Sequence, residues 1–174
     1  MPPNTTCDNE PVTPPATYGP LDSLGRATSA TRQINLASTR PSTGNTGVTP
    51  SLPNLGFVDP NTQDRSHLLA YVFGGATKVS DVPYSGAFNI VALFQQANRQ
   101  PLGMARYERQ ILARIKSPLC ETINLTVTAY YATGSRQGSG CAPTYVVMNA
   151  TGNEGYVLNQ CIPNNKGVTG PCPP

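Results

Sequence analysis

Between residues 123 and 131 apolar and polar side chains alternate without a break. Ile123, Leu125, Val127, Ala129 and Tyr131 fall on one parity, and Asn124, Thr126, Thr128 and Tyr130 on the other. A strand projects successive side chains to opposite faces, so this period sets one apolar face against a core and leaves the other face wet. A half-buried strand of that length needs antiparallel neighbours, and the shorter stretches 145–148 and 156–158 read as two of them. With 18 Pro and 16 Gly among 174 residues, the connections are expected to be loop-rich. The length suits one domain with a real core.

Helical spacing appears at residues 104–116, where Met104, Tyr107, Ile111, Leu112 and Ile115 recur on one face. Glu108 lies one turn from both Met104 and Leu112, at the edge of that stripe. Upstream, Arg65, His67, Leu69 and Tyr71 alternate with Ser66, Leu68 and Ala70, which predicts a strand closed by Gly74-Gly75. A loop holding Lys78, Asp81, Pro83 and Gly86 follows, then a second strand over 87–93 that carries Asn89. The fold class implied is α+β: a central, mainly antiparallel sheet with a strand-strand-helix unit laid against it.

Six prolines (Pro2, Pro3, Pro11, Pro14, Pro15, Pro20) fall in the first twenty residues, where large apolar side chains are nearly absent. Residues 1–17 therefore read as a Pro-rich arm or linker, and 18–174 as the folded domain with a Cys-rich tail. The longest apolar run, 68–73, is far too short for a membrane span. The first residues have neither the basic stretch nor the apolar run of a secretory signal. Export is then expected to rest on a trimmed signal or on a longer parent polypeptide. Cys7, Cys120, Cys141, Cys161 and Cys172 contain no CxxC pair and lie far in sequence from the one His, which disfavours zinc. Disulfides and an oxidising compartment are expected, but the spacing does not choose among the pairings.

Charge is uneven. Over residues 98–116, Arg99, Arg106, Arg109, Arg114 and Lys116 against Glu108 leave a net +4, more than the +3 of the whole chain. The rest of the protein is about neutral, and a positive stripe on one helix suits a polyphosphate partner. His67, the only imidazole, is the only side chain whose ordinary pKa lies near neutrality, so proton transfer at pH 7 points to it. In a strand, Arg65 and His67 project from the same face, where one phosphate could meet both.

The order Asp64-Arg65-Ser66-His67, then Asn89, Asn98 nine positions later, and Glu108 on a helix resembles the DNA/RNA non-specific endonucleases of the ββα-metal (His-Me finger) superfamily. Ser66 stands where that family usually has Gly. Tyr18 and Leu21-Asp22-Ser23-Leu24-Gly25-Arg26 resemble the streptococcal extracellular-nuclease branch, so the likeness spans roughly residues 18–131. The resemblance implies a Mg²⁺-dependent endonuclease, with Mn²⁺ as a substitute, that acts on DNA and RNA and leaves 5′-phosphate ends. It implies His67 as general base, Asn98 as the direct metal ligand, and Glu108 acting through a metal-bound water or an arginine. It also implies Asn89 as a brace near His67, and Arg65 either on phosphate or paired with Glu108. Arg99, Arg106 and Arg109 would meet the backbone of the substrate.

Structural alternatives stand beside these roles: Asn98 as a helix N-cap, Glu108 as a helical ion-pair partner, the arginines as a solvated face. The biological setting implied is secretion, or delivery as a toxin domain that requires an immunity protein in its producer. The rival reading is an inactive, disulfide-stabilised domain that only grips nucleic acid.

Overall fold

The computed structural model describes residues 7–41, 56–78, 81, 86–99, 101–116, 118–133 and 138–166. Pro2, Pro3, Pro83, Cys172 and part of the Gly/Ser-rich connection after residue 133 lie outside them. In chain order the elements are β1 (Thr17–Tyr18), β2 (Ser29–Ile34), β3 (Gln63–His67), β4 (Ile90–Phe94), α1 (Gln95–Asn98), α2 (Met104–Ile115), β5 (Ile123–Tyr130), β6 (Tyr145–Gly152) and β7 (Val157–Pro163). An antiparallel sheet runs β1-β2-β5-β6-β7, and β3 and β4 form a separate antiparallel hairpin.

The alternating strand is the middle of the sheet. Ile123, Leu125, Val127 and Ala129 of β5 are buried, and Val127 sits opposite Ala30 of β2 and Met148 of β6. Onto this face α2 lays Met104, Ile111 and Ile115, all fully buried, while Leu68, Leu69, Phe73, Val91 and Leu93 join the same cluster from the hairpin layer. One core therefore lies between the sheet and the ββα unit. Among the described residues no helix is long and apolar enough to cross a membrane.

Boundaries depart from the sequence pattern where pairing, rather than hydrophobicity, decides. β3 stops at His67 instead of running on to Gly74, and residues 71–73 make a short 3₁₀ turn. β4 starts at Ile90 because residues 86–88 are also a 3₁₀ turn, which leaves Asn89 just ahead of the strand. β6 and β7 extend well beyond their apolar cores, since polar pairs such as Thr126–Asn149 continue the ladder.

Residues 7–17 lie along the sheet rather than standing off it. Proline lacks an N–H and cannot complete a ladder, but its carbonyl still accepts. Arg32 Nε–H donates to Pro14 O at 3.2 Å, Asn35 Nδ2–H to Pro11 O at 2.8 Å, and Thr13 Oγ1–H to Gln33 O at 2.5 Å. Ala16 is buried in the main core. A disulfide joins Cys7 to Cys120, 113 residues away, and ties this segment to the loop after α2. In the chain-entropy account, closing a loop that long contributes roughly 4 to 5 kcal/mol. Cys161 is also disulfide-bonded, whereas Cys141 is a buried free thiol.

Candidate active site

The hairpin fixes the first group. β3 pairs with β4 so that Arg65 faces Ala92 and His67, the last residue of the strand, faces Ile90. Beyond His67 the chain bends, and the fully buried Asn89 holds the bend. Its Oδ1 accepts the Leu69 N–H at 2.8 Å, and its Nδ2 donates to Leu69 O and Ala76 O, each at 2.9 Å. Leu68 N–H donates to the Asn89 backbone carbonyl at 2.8 Å. Both amide protons of Asn89 and its oxygen are committed to backbone, an arrangement that braces the bend and keeps the amide from substrate. Gly75 permits it, because a Cβ there would lie 1.9 Å from Leu69 O and 2.7 Å from Asn89 Nδ2.

His67 keeps part of its surface accessible, but its Nε2 is closed off without a hydrogen-bond partner. Burial disfavours the charged imidazolium and pushes its pKa from 6.5 down to about 4. The ring is thus a neutral base at pH 7. Arg65 lies with its guanidinium 4.3 Å from the Phe57 ring centroid and its Nε without a partner. It forms no ion pair with Glu108, so the pairing alternative is absent here. Ser66 is buried in a regular strand. Among described non-glycine residues only Cys120 has positive φ, so the hairpin does not need glycine's freedom at position 66.

Asn98 ends α1 rather than capping its start, which removes the N-cap reading. Its Nδ2 donates to Asp64 Oδ2 at 2.9 Å, which ties α1 to the strand of His67. A carboxylate accepts only, so this contact fixes the amide orientation and leaves Oδ1 uncommitted. Arg99 forks onto the same carboxylate, Nε to Oδ2 at 2.9 Å and Nη2 to Oδ1 at 2.6 Å. Its charge is therefore matched by Asp64, and Arg99 is less free for phosphate than its place in the sequence implies. Arg114 is likewise bound to Glu121. Of the stripe, Arg106 and Arg109 are exposed on α2, one turn apart, with no carboxylate within ion-pair distance among the described residues.

The carboxyl group of Glu108, in the middle of α2, hydrogen-bonds to no described residue, and burial raises its pKa from 4.5 to about 7. The helical ion-pair reading is thereby removed. A neutral imidazole and an unpaired carboxyl group, both desolvated, are the kind of groups that do proton and metal chemistry. Among the described residues no three His, Cys, Asp or Glu gather as a metal cage. The donors on offer are oxygens, Asn98 Oδ1 and the Glu108 carboxylate, which suit a hard cation that retains its waters.

One neighbour of Arg65, Phe57, gave no usable sequence signal. Phe57 stands in a Gly/Pro-rich stretch, so its place under Arg65 arises only from tertiary packing. The Leu21-Arg26 stretch is a structural turn: Asp22 accepts from Leu24 N, Arg26 N and Arg26 Nε, and the Arg26 guanidinium lies 3.8 Å from the Tyr131 ring centroid.

The sequence model of the DNA/RNA non-specific endonucleases matches residues 4–149. No curated protein matches the chain. Among solved structures, NucA from Streptococcus agalactiae with a magnesium ion bound superposes with a TM-score of 0.70 at 18% identity, covering 92% of this chain and 76% of that one. The Sda1 nuclease with a bound zinc ion gives 0.67 at 20% identity over 88% and 75%. A protein described as an extracellular endonuclease gives 0.59 at 18% identity over 93% and 88%. These likenesses establish the fold, and the match over most of its length establishes that the chain belongs to the DNA/RNA non-specific endonuclease family.

Proposed function

We propose that the protein is a Mg²⁺-dependent endonuclease that hydrolyses phosphodiester bonds of DNA and RNA without sequence preference. The observation that carries this reading is His67: a neutral, desolvated imidazole on a hairpin linked through Asp64 to Asn98, whose amide oxygen is left for a cation. His67 accepts a proton from the attacking water and releases it to solvent after the bond breaks. Arg65, held against Phe57, offers its guanidinium to a non-bridging phosphate oxygen. Asn98 Oδ1 would hold Mg²⁺, or Mn²⁺ as a substitute, and Glu108 would orient a water bound to it. When bound, the cation neutralises charge on the phosphate and the departing 3′ oxygen. Asn89 positions His67 by fixing the bend that follows it. Arg106 and Arg109 track the sugar-phosphate backbone, which carries no sequence information.

The Cys7–Cys120 bridge supports an exported protein, since disulfides persist in oxidising compartments. Release as a toxin domain with an immunity partner and secretion as a scavenging nuclease are both compatible with that setting. The deciding experiment is incubation of supercoiled plasmid and of single-stranded RNA with the protein, in Mg²⁺ and in EDTA. Nicking and linearisation in Mg²⁺ alone are expected. Binding without cleavage in either condition would return the inactive nucleic-acid-binding domain as the better reading.

A further inference from the structure

Arg32 lies on the core-facing parity of β2, between Ala30 and Ile34, and only 9% of it is exposed. It donates Nη1–H to Phe73 O at 2.6 Å and Nε–H to Pro14 O at 3.2 Å, yet none of the ion pairs among the described residues includes it. A buried cation whose hydrogen bonds go only to carbonyl dipoles is costly to keep. The turn is shaped to receive it: Gly74 has φ +81°, and a Cβ there would lie 1.6 Å from Arg32 Nη1.

Arg40 reaches the same turn from the surface. Its backbone N–H donates to Val72 O at 2.8 Å and its Nη1–H to Gly75 O at 3.3 Å, with the guanidinium 5.0 Å from the Tyr71 ring centroid. Between the two arginines lies a cavity of about 380 Å³, lined also by Thr13, Ala16, Tyr18 and Asp81. Asp81 is the facing carboxylate, but its Oδ2 is occupied by the N–H groups of Thr77 and Lys78. Two guanidiniums against one carboxylate leave the cavity positive. Burial first, and then the charge of Arg40, lower the pKa of Arg32, a penalty that a bound anion would offset.

We propose that this cavity is a second anion site, separate from His67, that binds a phosphate group between the Arg32 and Arg40 guanidiniums. The phosphate is either the free inorganic ion or the terminal phosphate of an oligonucleotide, the same tetrahedral oxyanion that guanidinium forks match. Its volume lies in the range of small-ligand pockets, enough for the phosphate and part of an attached sugar.

Calorimetric titration of inorganic phosphate into the full chain, in EDTA so that no metal takes part, tests the site independently of cleavage. Saturable binding is expected, equal in wild type and His67→Ala, and weaker by about tenfold or more in Arg40→Gln, which loses a charge-assisted hydrogen bond. Arg32→Lys keeps the charge but loses the fork, and should also bind more weakly; it serves because full truncation of Arg32 endangers folding. Competition in His67→Ala by a short 5′-phosphorylated oligonucleotide, but not by its 5′-hydroxyl twin, would assign the phosphate to a chain end. Competition by neither would assign it to the free ion. No saturable phosphate binding by the wild type, or wild-type affinity in Arg40→Gln, would overturn the proposal.

Discussion

Two glutamates, Glu108 within α2 and Glu121 in the loop after it, differ in how their carboxyl groups are satisfied. Glu121, just after α2, is fully buried, and both of its oxygens are satisfied: Oε2 by Arg114 Nε at 2.5 Å, Oε1 by the N–H groups of Tyr156 at 2.8 Å and Glu154 at 3.2 Å. Burial alone would raise its pKa, but these donors and the Arg114 charge together hold it below the usual carboxylate range. Glu108, within α2, has no such donors and rises to about 7. The first carboxylate staples α2 to the turn between β6 and β7, whereas the second retains its capacity to bind. Desolvation without compensation is what sets Glu108 apart from Glu121.

The sharpest way to break that contrast is at His67, the other uncompensated group. His67→Ala should leave the fold intact and lower turnover by roughly 10² to 10⁴, measured as plasmid cleavage with folding followed by circular dichroism. Wild-type cleavage by the verified variant would remove His67 from the mechanism. Glu121→Ala should do the reverse, costing about 1 to 3 kcal/mol in urea unfolding because the N–H groups of Tyr156 and Glu154 lose their acceptor, with little change in turnover per folded molecule. Equal stability of Glu121→Ala and Glu108→Ala would erase the distinction.

Asp64 tests the link between the hairpin and α1. Asp64→Ala frees the Asn98 amide and the Arg99 fork together, so the Mg²⁺ needed for half-maximal activity should rise by about 10- to 100-fold. Asn98→Ala should weaken metal dependence at least as much; an unchanged metal titration in both would place the ligand elsewhere.

A smaller effect is expected in stability against pH. The fold holds His67 at about 4, below its ordinary 6.5, so its contribution is intact above pH 6.5 and is lost as pH falls toward 4. Glu108 is shifted the other way, from 4.5 to about 7, and its contribution is present below pH 4.5 and lost as pH rises through 7. Between those limits the two slopes oppose. His67→Ala should therefore make stability fall more steeply with rising pH, and Glu108→Gln should make it rise, both read from urea midpoints. Parallel profiles for the two variants would contradict the opposite shifts. The smallest change belongs to the stripe: Arg106→Gln or Arg109→Gln, in a His67→Ala background, should each make the log-log salt dependence of DNA binding shallower by about one unit. No change from either would show that α2 does not meet the backbone.

The sequence by itself determined the antiparallel sheet, the helix of residues 104–115 and the family, because alternation, helical spacing and the linear order His67-Asn89-Asn98-Glu108 are properties of the chain before any packing. It also marked His67 as the base candidate, since no other imidazole competes. Tertiary structure decided which charges are spent. Arg99 and Asn98 look equally available along the chain, yet Asp64 takes all of the fork of one and only the amide nitrogen of the other. It also laid residues 11–16 along β2 and set Arg32 on the core-facing parity of that strand, lining a cavity. The physical reason is the same in each case: whether a polar group is satisfied depends on partners brought from 18 to 41 residues away, and no local pattern encodes them.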